Sequence, residues 1–394
     1  MNIILASSLP KSLKKIAVWG FLLRVILLII VINSDDPFII IDDRKYEYIA
    51  STYLLYANSI WDSHAVNMTG GNSFLQVFWP YVVCVSAKIL GTQYSGRILN
   101  VILSVLCIIW TYKITTLITD NEERGLLAAK LMAFLPYPLI FSAFNIKDFY
   151  IMFGVLYTFT LFVTWQKGFD VSKKNVIIAT LLLIGVFFAR GGVVEFVGLV
   201  FCFFILERFY KKKQYSRIFC AIVIAIVSAY LLKDYIYEAF DEKLEDYGDT
   251  ALKANGLRLI QMHGISDIYK LPFQYVFGII QPFTQNYLSI LDKFTWSEFM
   301  SLMNVSLYPI AFGCLFYMFM DKHNFIFWAS TTLLFIVITS MVLAIFRHYF
   351  FLFPIHAITF ACFVDRQNKK AFQVVKICSC VLFIALFILT LKRL

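Results

Sequence analysis

Charged residues are scarce in this sequence, because Asp, Glu, Lys and Arg together make up only 15% of its 394 residues. An ordinary soluble domain carries about 25%. Hydrophobic residues reach 60%, and the mean hydropathy is +0.75. A soluble domain could not cover so much apolar surface with so few charges, whereas apolar runs of about 20 residues are long enough to cross a bilayer as helices. The composition therefore predicts an all-α polytopic membrane protein.

Several further features are missing from the sequence. The eight cysteines have neither the spacing of metal ligands nor the pattern of a disulfide framework, and they lie almost entirely within apolar runs. We therefore expect them to be buried packing residues. The sequence also has no internal repeat, which a transporter built from two repeated halves would show, and no low-complexity segment.

The apolar runs predict about 11 transmembrane helices in a single transmembrane domain over 1–394. The first run, 16–33, follows three lysines and is too long for a secretory signal, so we expect an uncleaved first span. Pro136 and Pro138 predict a kink near the end of one later span. The later spans are expected near 98–118, 125–143, 149–166, 175–190, 192–208, 216–233, 299–320, 324–346, 350–364 and 373–391.

The distribution of Lys and Arg predicts the orientation of the chain. Short loops rich in these residues stay in the cytoplasm, and the richest are 166–174, 207–217 and 365–370. These loops lie on the same side as the N-terminus only if an even number of membrane crossings separates them from it. The number is even only if the apolar run 73–90 does not cross the membrane, so we expect that run to form an interfacial helix. The net charge of +10 then marks the cytoplasmic face and does not indicate a nucleic-acid partner. We expect a multi-pass cell-membrane protein with a cytoplasmic N-terminus.

With this orientation, ionisable residues gather on the outer face. The first loop (34–97) carries Asp42 and Asp43 and is expected to hold interfacial helices. The second loop (144–149) carries Lys147 and Asp148. Ionisable groups at a membrane boundary are expensive to place, which makes each of them a candidate for function. Two short turns on the same face carry Arg190, Arg347 and His348. The long loop (234–298) also lies on this face, and we expect it to form short interfacial helices.

These residue types suit a substrate with a lipid tail, a phosphate and a sugar. An ionised Asp42 could accept a proton from an acceptor hydroxyl, and Arg grips phosphate oxygens through two parallel hydrogen bonds. Structural roles also fit: the acidic pair could cap a helix, Asp148 could complement a helix dipole, and Arg190 could extend to the lipid headgroups. The long loop could gate the site or be a passive connection. Glu195 lies within an apolar run, where a carboxylate needs a partner.

Several short motifs resemble the GT-C superfamily of membrane glycosyltransferases, above all the branch of protein O-mannosyltransferases and aminoarabinose transferases. The most similar is "DDRKYEYIA" (42–50), which resembles the first-loop motif of that branch. The segments 91–118 and 124–153 resemble the opening of its next span and its second loop. "FFARGGVVEF" (187–196) and "FRHYFFLFPIHAI" (346–358) resemble later elements.

The resemblance implies roles for individual residues. Asp42 matches the catalytic Asp, Asp43 its acidic neighbour, and Lys45 and Tyr46 the basic and aromatic positions that help to place the substrate. Asp148 matches the second-loop acid, which in some relatives helps to hold a divalent metal and in others does not. If this protein uses Mg or Mn, Asp43 and Asp148 are the expected ligands; no cofactor is otherwise implied.

Taken together, the sequence predicts a glycosyltransferase that moves a sugar from a polyprenyl-phosphate donor to a glycan, lipid or protein acceptor at the outer membrane face. Asp42, Asp43 and Asp148 are the candidate catalytic residues. Lys147, Arg190, Arg347 and His348 are the candidate phosphate-binding residues, with Lys45, Tyr46 and Glu195 positioning the substrate. One alternative is a polymerase or ligase of surface polysaccharide units with a lipid-diphosphate donor, and another is a lipid-oligosaccharide flippase.

Overall fold

The structure is a computed structural model that describes most of the N-terminal half of the chain and separate segments of the rest. The described residues are 9–38, 41–57, 59, 78–217, 219–220, 223, 269, 295–318, 350–365 and 369–391. Throughout these residues the regular elements are helices, which confirms the all-α prediction.

The helices are numbered here in chain order. They are α1 (Lys11–Ile32), α2 (Ile41–Tyr56), α3 (Phe78–Leu90), α4 (Ser95–Thr119), α5 (Glu122–Phe134), α6 (Pro136–Phe141), α7 (Asp148–Gln166), α8 (Lys173–Ala189), α9 (Gly191–Lys211), α10 (Trp296–Met303), α11 (Tyr308–Met318), α12 (Phe353–Asp365) and α13 (Lys369–Leu391). A 3₁₀ helix, Asn304–Leu307, joins α10 to α11.

Three of the described helices, α1, α4 and α7, are long and apolar enough to cross a membrane. Their apolar length supports a membrane protein, while the number of spans and their orientation stay predictions. The predicted span 299–320 is instead divided among α10, the 3₁₀ helix and α11. Pro309 lies in the first turn of α11, where a proline is tolerated because its missing N–H would have no helical partner there. The predicted span 324–346 and most of 216–233 lie outside the described residues.

The helices belong to two compact units. The first contains Met1–Glu195, Asn286–Ser306 and Phe350–Gln367, and the second contains the remaining segments. In the first unit α4 is central and packs against α1, α3, α5, α7 and α12. In the second unit α11 packs against α13. The candidate residues that the structure describes with their side chains all lie in the first unit.

The first loop contains two helices, α2 and α3, which pack against each other. Tyr46 and Tyr53 of α2 and Trp79 and Val83 of α3 belong to their shared apolar core, and all four are almost fully buried. Near the other end of the pair, Lys88 Nζ donates a hydrogen bond of 2.6 Å to the Ala57 carbonyl. The pair therefore forms a stable platform for the acidic residues at the start of α2.

The predicted proline kink is a complete interruption of the helix. α5 ends at Phe134, and Leu135 has an extended backbone with φ −63° and ψ 137° before α6 begins at Pro136. A residue that precedes proline is driven out of the helical region by the proline ring. Since Pro136 also has no N–H, the Met132 carbonyl four residues earlier has no helical donor.

Arg24 supplies the missing donors from the neighbouring helix α1. Its side chain is fully buried, and its Nη2 donates to the Met132 carbonyl at 2.8 Å. Its Nη1 donates to the carbonyls of Ala133 at 2.9 Å and Gly20 at 3.0 Å. An apolar interior gives these carbonyls no water to bond, so the fork of Arg24 stabilises the interrupted end of α5.

We predict that Arg24→Met lowers thermal stability, because it leaves the Met132 and Ala133 carbonyls buried without donors, at a cost of about 1–3 kcal/mol each. Pro136→Ala would provide the N–H that the Met132 carbonyl lacks, so the double variant should be more stable than Arg24→Met alone. The measurement is thermal unfolding of the purified protein in detergent. Equal melting temperatures for Arg24→Met and the parent would contradict this role of Arg24.

Candidate active site

The acidic pair lies in the first turn of α2, and its two members have different surroundings. Asp43 is fully buried, whereas Asp42 is partly exposed. Consecutive helical residues point about 100° apart. Asp43 therefore lies on the buried face of α2, while Asp42 lies beside that face and keeps contact with solvent. Both carboxylates also lie where the helix dipole favours negative charge.

Arg97, near the start of α4, holds two carboxylates of α2. Its Nε lies 2.5 Å from Glu47 Oε2, and its Nη2 lies 3.5 Å from Asp43 Oδ1. Asp43 and Glu47 are four residues apart and therefore share one face of α2. Burial raises the pKa of Glu47, while the charge and hydrogen bond of Arg97 oppose that rise. The three side chains form a buried cluster, called the Arg97 cluster below.

Arg97 also bonds to backbone on either side of the cluster. Nη2 donates to the Pro37 carbonyl at 2.8 Å, and Nη1 donates to the Ala143 carbonyl, just before the second loop, at 3.2 Å. The rings of Phe38 and Phe144 lie 5.5 and 5.6 Å from the guanidinium carbon. One side chain thus joins the approach to α2, α2 itself and the second loop.

The second loop is held by polar side chains of the first unit. Asn145 N donates to Asp43 Oδ1 at 2.7 Å. Asn100 of α4 donates through Nδ2 to the carbonyls of Phe144 and Ile146, each at 2.6 Å. Loop carbonyls buried in an apolar setting need such donors. These contacts bring the two acidic loops together.

Asp148 and Arg190 form an ion pair next to the second loop. Asp148 begins α7 and is fully buried, whereas Arg190 follows the last residue of α8 and its side chain is 20% exposed. Arg190 Nη2 lies 3.2 Å from Asp148 Oδ1. The pair therefore fixes a cation that solvent and a ligand at the surface can still reach.

The end of the long loop also reaches this region. Trp296 is almost fully buried, and its Nε1 donates to Ser34 Oγ at 3.0 Å. Its ring packs edge-on against Phe144, with 5.9 Å between the centroids. The role of the long loop as a gate stays a prediction, since most of 234–298 lies outside the described residues.

The other predicted site residues have varied positions. Lys45 is exposed and Lys147, next to Asp148, is partly buried. Tyr46 is buried in the core between α2 and α3. Arg347, His348 and the Glu195 side chain lie outside the described residues, so their roles stay predictions.

Sequence reasoning missed Arg97, Asn100 and Asn145. The available signal for Arg97 was a lone cation at the start of an apolar run, together with a Glu four residues after Asp43. A buried cation needs a counter-ion, so these residues were natural partners. Asn145 carried no such signal, because an asparagine in a loop is common. Asn100 lies within the predicted span 98–118, where a polar side chain needs a hydrogen-bond partner.

The expected metal site depends on the donor side chains that the structure describes. Among the described residues, no group of three or more His, Cys, Asp or Glu side chains could hold a metal ion. Asp43 and Asp148, the two expected ligands, each lie against an arginine, whose positive charge opposes a second cation at the same carboxylate. The described residues therefore do not fit the expected divalent ion.

Comparison with known proteins found one solved structure with a similar arrangement. No family model matches the sequence, and neither does any curated protein. The similar structure is the archaeal oligosaccharyltransferase AglB from Archaeoglobus fulgidus, in complex with an inhibitory peptide and a dolichol-phosphate. The TM-score is 0.49 at 16% identity, and the match covers 91% of this chain and 51% of that one. This chain therefore spans about half the length of AglB.

We predict that Arg97→Ala strongly destabilises the protein, because it leaves Asp43 and Glu47 buried without a counter-charge. Breaking a buried pair in this way costs about 3–5 kcal/mol. The matched control is Lys167→Ala, which removes the 2.6 Å ion pair with Asp120, a carboxylate that is 80% exposed. Exposed pairs contribute about 0–1 kcal/mol. Thermal unfolding in detergent compares the two, and similar melting temperatures would show that the Arg97 cluster is not structural.

Proposed function

We propose that this protein is a glycosyltransferase that moves a sugar from a polyprenyl-phosphate donor to an acceptor at the outer membrane face, with inversion at the anomeric carbon. Asp42 is the general base in this proposal. The acceptor is a glycan, a lipid or a protein.

The observation that carries the proposal is the different burial of three carboxylates on α2. Asp43 and Glu47 are buried against Arg97, whereas Asp42 keeps exposed surface beside them. A general base has to reach the hydroxyl from which it takes a proton. Of these three carboxylates, Asp42 meets that requirement, and the Arg97 cluster fixes the helix turn on which it lies.

The proposed reaction is a single displacement. Asp42 takes the proton of the acceptor hydroxyl, and the hydroxyl oxygen attacks the anomeric carbon from the face opposite the phosphate. The bond from the anomeric carbon to the phosphate oxygen breaks, and the polyprenyl phosphate leaves with the electron pair. Because this leaving group departs as a stable anion, no second carboxylic acid is needed to protonate it, unlike in hydrolysis of a glycoside.

Arg190 is the described cation best placed to stabilise the leaving phosphate. It is partly exposed, and Asp148 holds it from the buried side. A guanidinium can donate two parallel hydrogen bonds to phosphate, and such preorganised charge lowers the barrier where negative charge develops. Lys147, Arg347 and His348 are proposed as further phosphate-binding residues, and Lys45, Tyr46 and Glu195 as substrate-positioning residues. No step passes through a metal.

We predict that Asp42→Asn lowers the rate of sugar transfer by about a hundredfold to ten-thousandfold, because the amide cannot accept the proton. Thermal stability should stay at the parent value, since Asp42 is partly exposed. Asp43→Asn should instead lower thermal stability by weakening the Arg97 cluster. The measurement is transfer of labelled sugar from a polyprenyl-phosphate donor by protein in liposomes.

The matched control is Asp36→Asn in the same loop, which removes an exposed carboxylate paired with the exposed Arg44. It should transfer sugar at the parent rate. If Asp42→Asn is active while Asp148→Asn is inactive, the base lies in the second loop. If neither matters and Arg347 or His348 does, the polymerase or ligase with a lipid-diphosphate donor replaces this proposal.

A further inference from the structure

We infer that Asn145 is a positioning residue, which fixes the second loop, and with it Lys147 and Asp148, at the distance from Asp42 that sugar transfer requires. Asn145 is fully buried and does not touch the reacting groups in this assignment. It acts through Asp43 and through the backbone of its own loop. The inference rests on the proposed function and gives Asn145 a role that the sequence did not predict.

Asn145 contacts the first loop at two points. Its backbone N–H donates to Asp43 Oδ1 at 2.7 Å, and its side-chain Oδ1 accepts a hydrogen bond of 3.3 Å from Trp79 Nε1. Asp43 belongs to α2 and Trp79 to α3, so Asn145 fixes the position of the second loop relative to both helices of the platform. Charged acceptors strengthen hydrogen bonds, which makes the contact with Asp43 the stronger one.

Gly96 of α4 makes room for the Asn145 side chain. A Cβ placed on Gly96 would overlap the Oδ1, Cγ and Nδ2 atoms of Asn145. Gly96 is the second residue of α4, and its lack of a side chain leaves the space that Asn145 occupies. The close approach of Asn145 gives the physical reason for that glycine.

The hydrogen bonds of Asn145 matter for catalysis because Asn145 lies three residues before Asp148, which forms the ion pair with Arg190. A shift of the second loop would move this phosphate-binding pair relative to Asp42. A misplacement of about 1 Å in a reacting geometry can cost about a hundredfold in rate. A positioning role therefore predicts a loss in kcat that exceeds any loss of folded protein, with little change in KM for the donor.

Three variants test this inference. Gly96→Ala pushes the Asn145 side chain away and should lower kcat by about a hundredfold. Asn145→Ala removes the side chain that the new methyl group would strike, so the double variant should have a higher kcat than Gly96→Ala alone. The matched control is Gly198→Ala, since a Cβ on this helical glycine meets no atom within 4 Å. It should keep the parent kcat.

A second readout does not depend on activity. Hydrogen exchange measured by mass spectrometry reports whether the amide of Asn145 is protected by Asp43. Peptides that cover the second loop should exchange faster in Gly96→Ala than in the parent and in Gly198→Ala. The double variant should regain part of the protection.

The two readouts separate the failure of each proposal. If the parent transfers no sugar from a polyprenyl-phosphate donor, the proposed function fails, and the exchange data show whether the contact survives as a loop anchor. If Gly96→Ala speeds exchange but keeps the parent kcat, Asn145 is structural and the inference is overturned. It is equally overturned if Gly96→Ala leaves both exchange and kcat unchanged, or if kcat falls only in proportion to the folded fraction.

Discussion

The Arg97 guanidinium is buried together with the Asp43 and Glu47 carboxylates, and none of the three charges could remain in this apolar setting without the others. Their mutual attraction ties α2 to the start of α4. Hydrogen bonds from the same guanidinium to Pro37 and Ala143 extend the tie to the segments on either side. The Arg97 cluster therefore fixes the start of α2, while the apolar core with α3 holds the rest of that helix.

A second buried arginine follows the same physical rule in a different way. Arg24 donates to backbone carbonyls, and its bond to Met132 replaces the one that Pro136 removes from the helix ladder. In both places a guanidinium satisfies several acceptors at once through the fixed geometry of its planar fork. The interruption of α5 and α6 thereby becomes a fixed feature of the first unit, and the chain can turn there toward the second loop.

Much of the helical framework could be predicted from the sequence, because apolar length and proline placement are local signals. The spans near 98–118 and 149–166 correspond to α4 and α7, and the break falls beside Pro136. The partners of the charged residues could not be predicted in this way. Asp43 is 54 positions from Arg97, and Asp148 is 42 positions from Arg190, so each pairing depends on how the helices pack. From the sequence, only the resemblance gave Asp42 and Asp43 different roles. In the structure their burial differs, because Asp43 is fully buried and Asp42 is partly exposed.

The most direct test of the account is a structure of the protein in a lipid bilayer with a polyprenyl-phosphate sugar bound. We expect the donor phosphate to lie within hydrogen-bond distance of Arg190, with the face of the anomeric carbon opposite the phosphate turned toward Asp42. Asp43 should remain against Arg97 and away from the sugar. A donor with its phosphate away from Arg190, or with Asp148 in place of Asp42 on the attacking side of the sugar, would contradict the account.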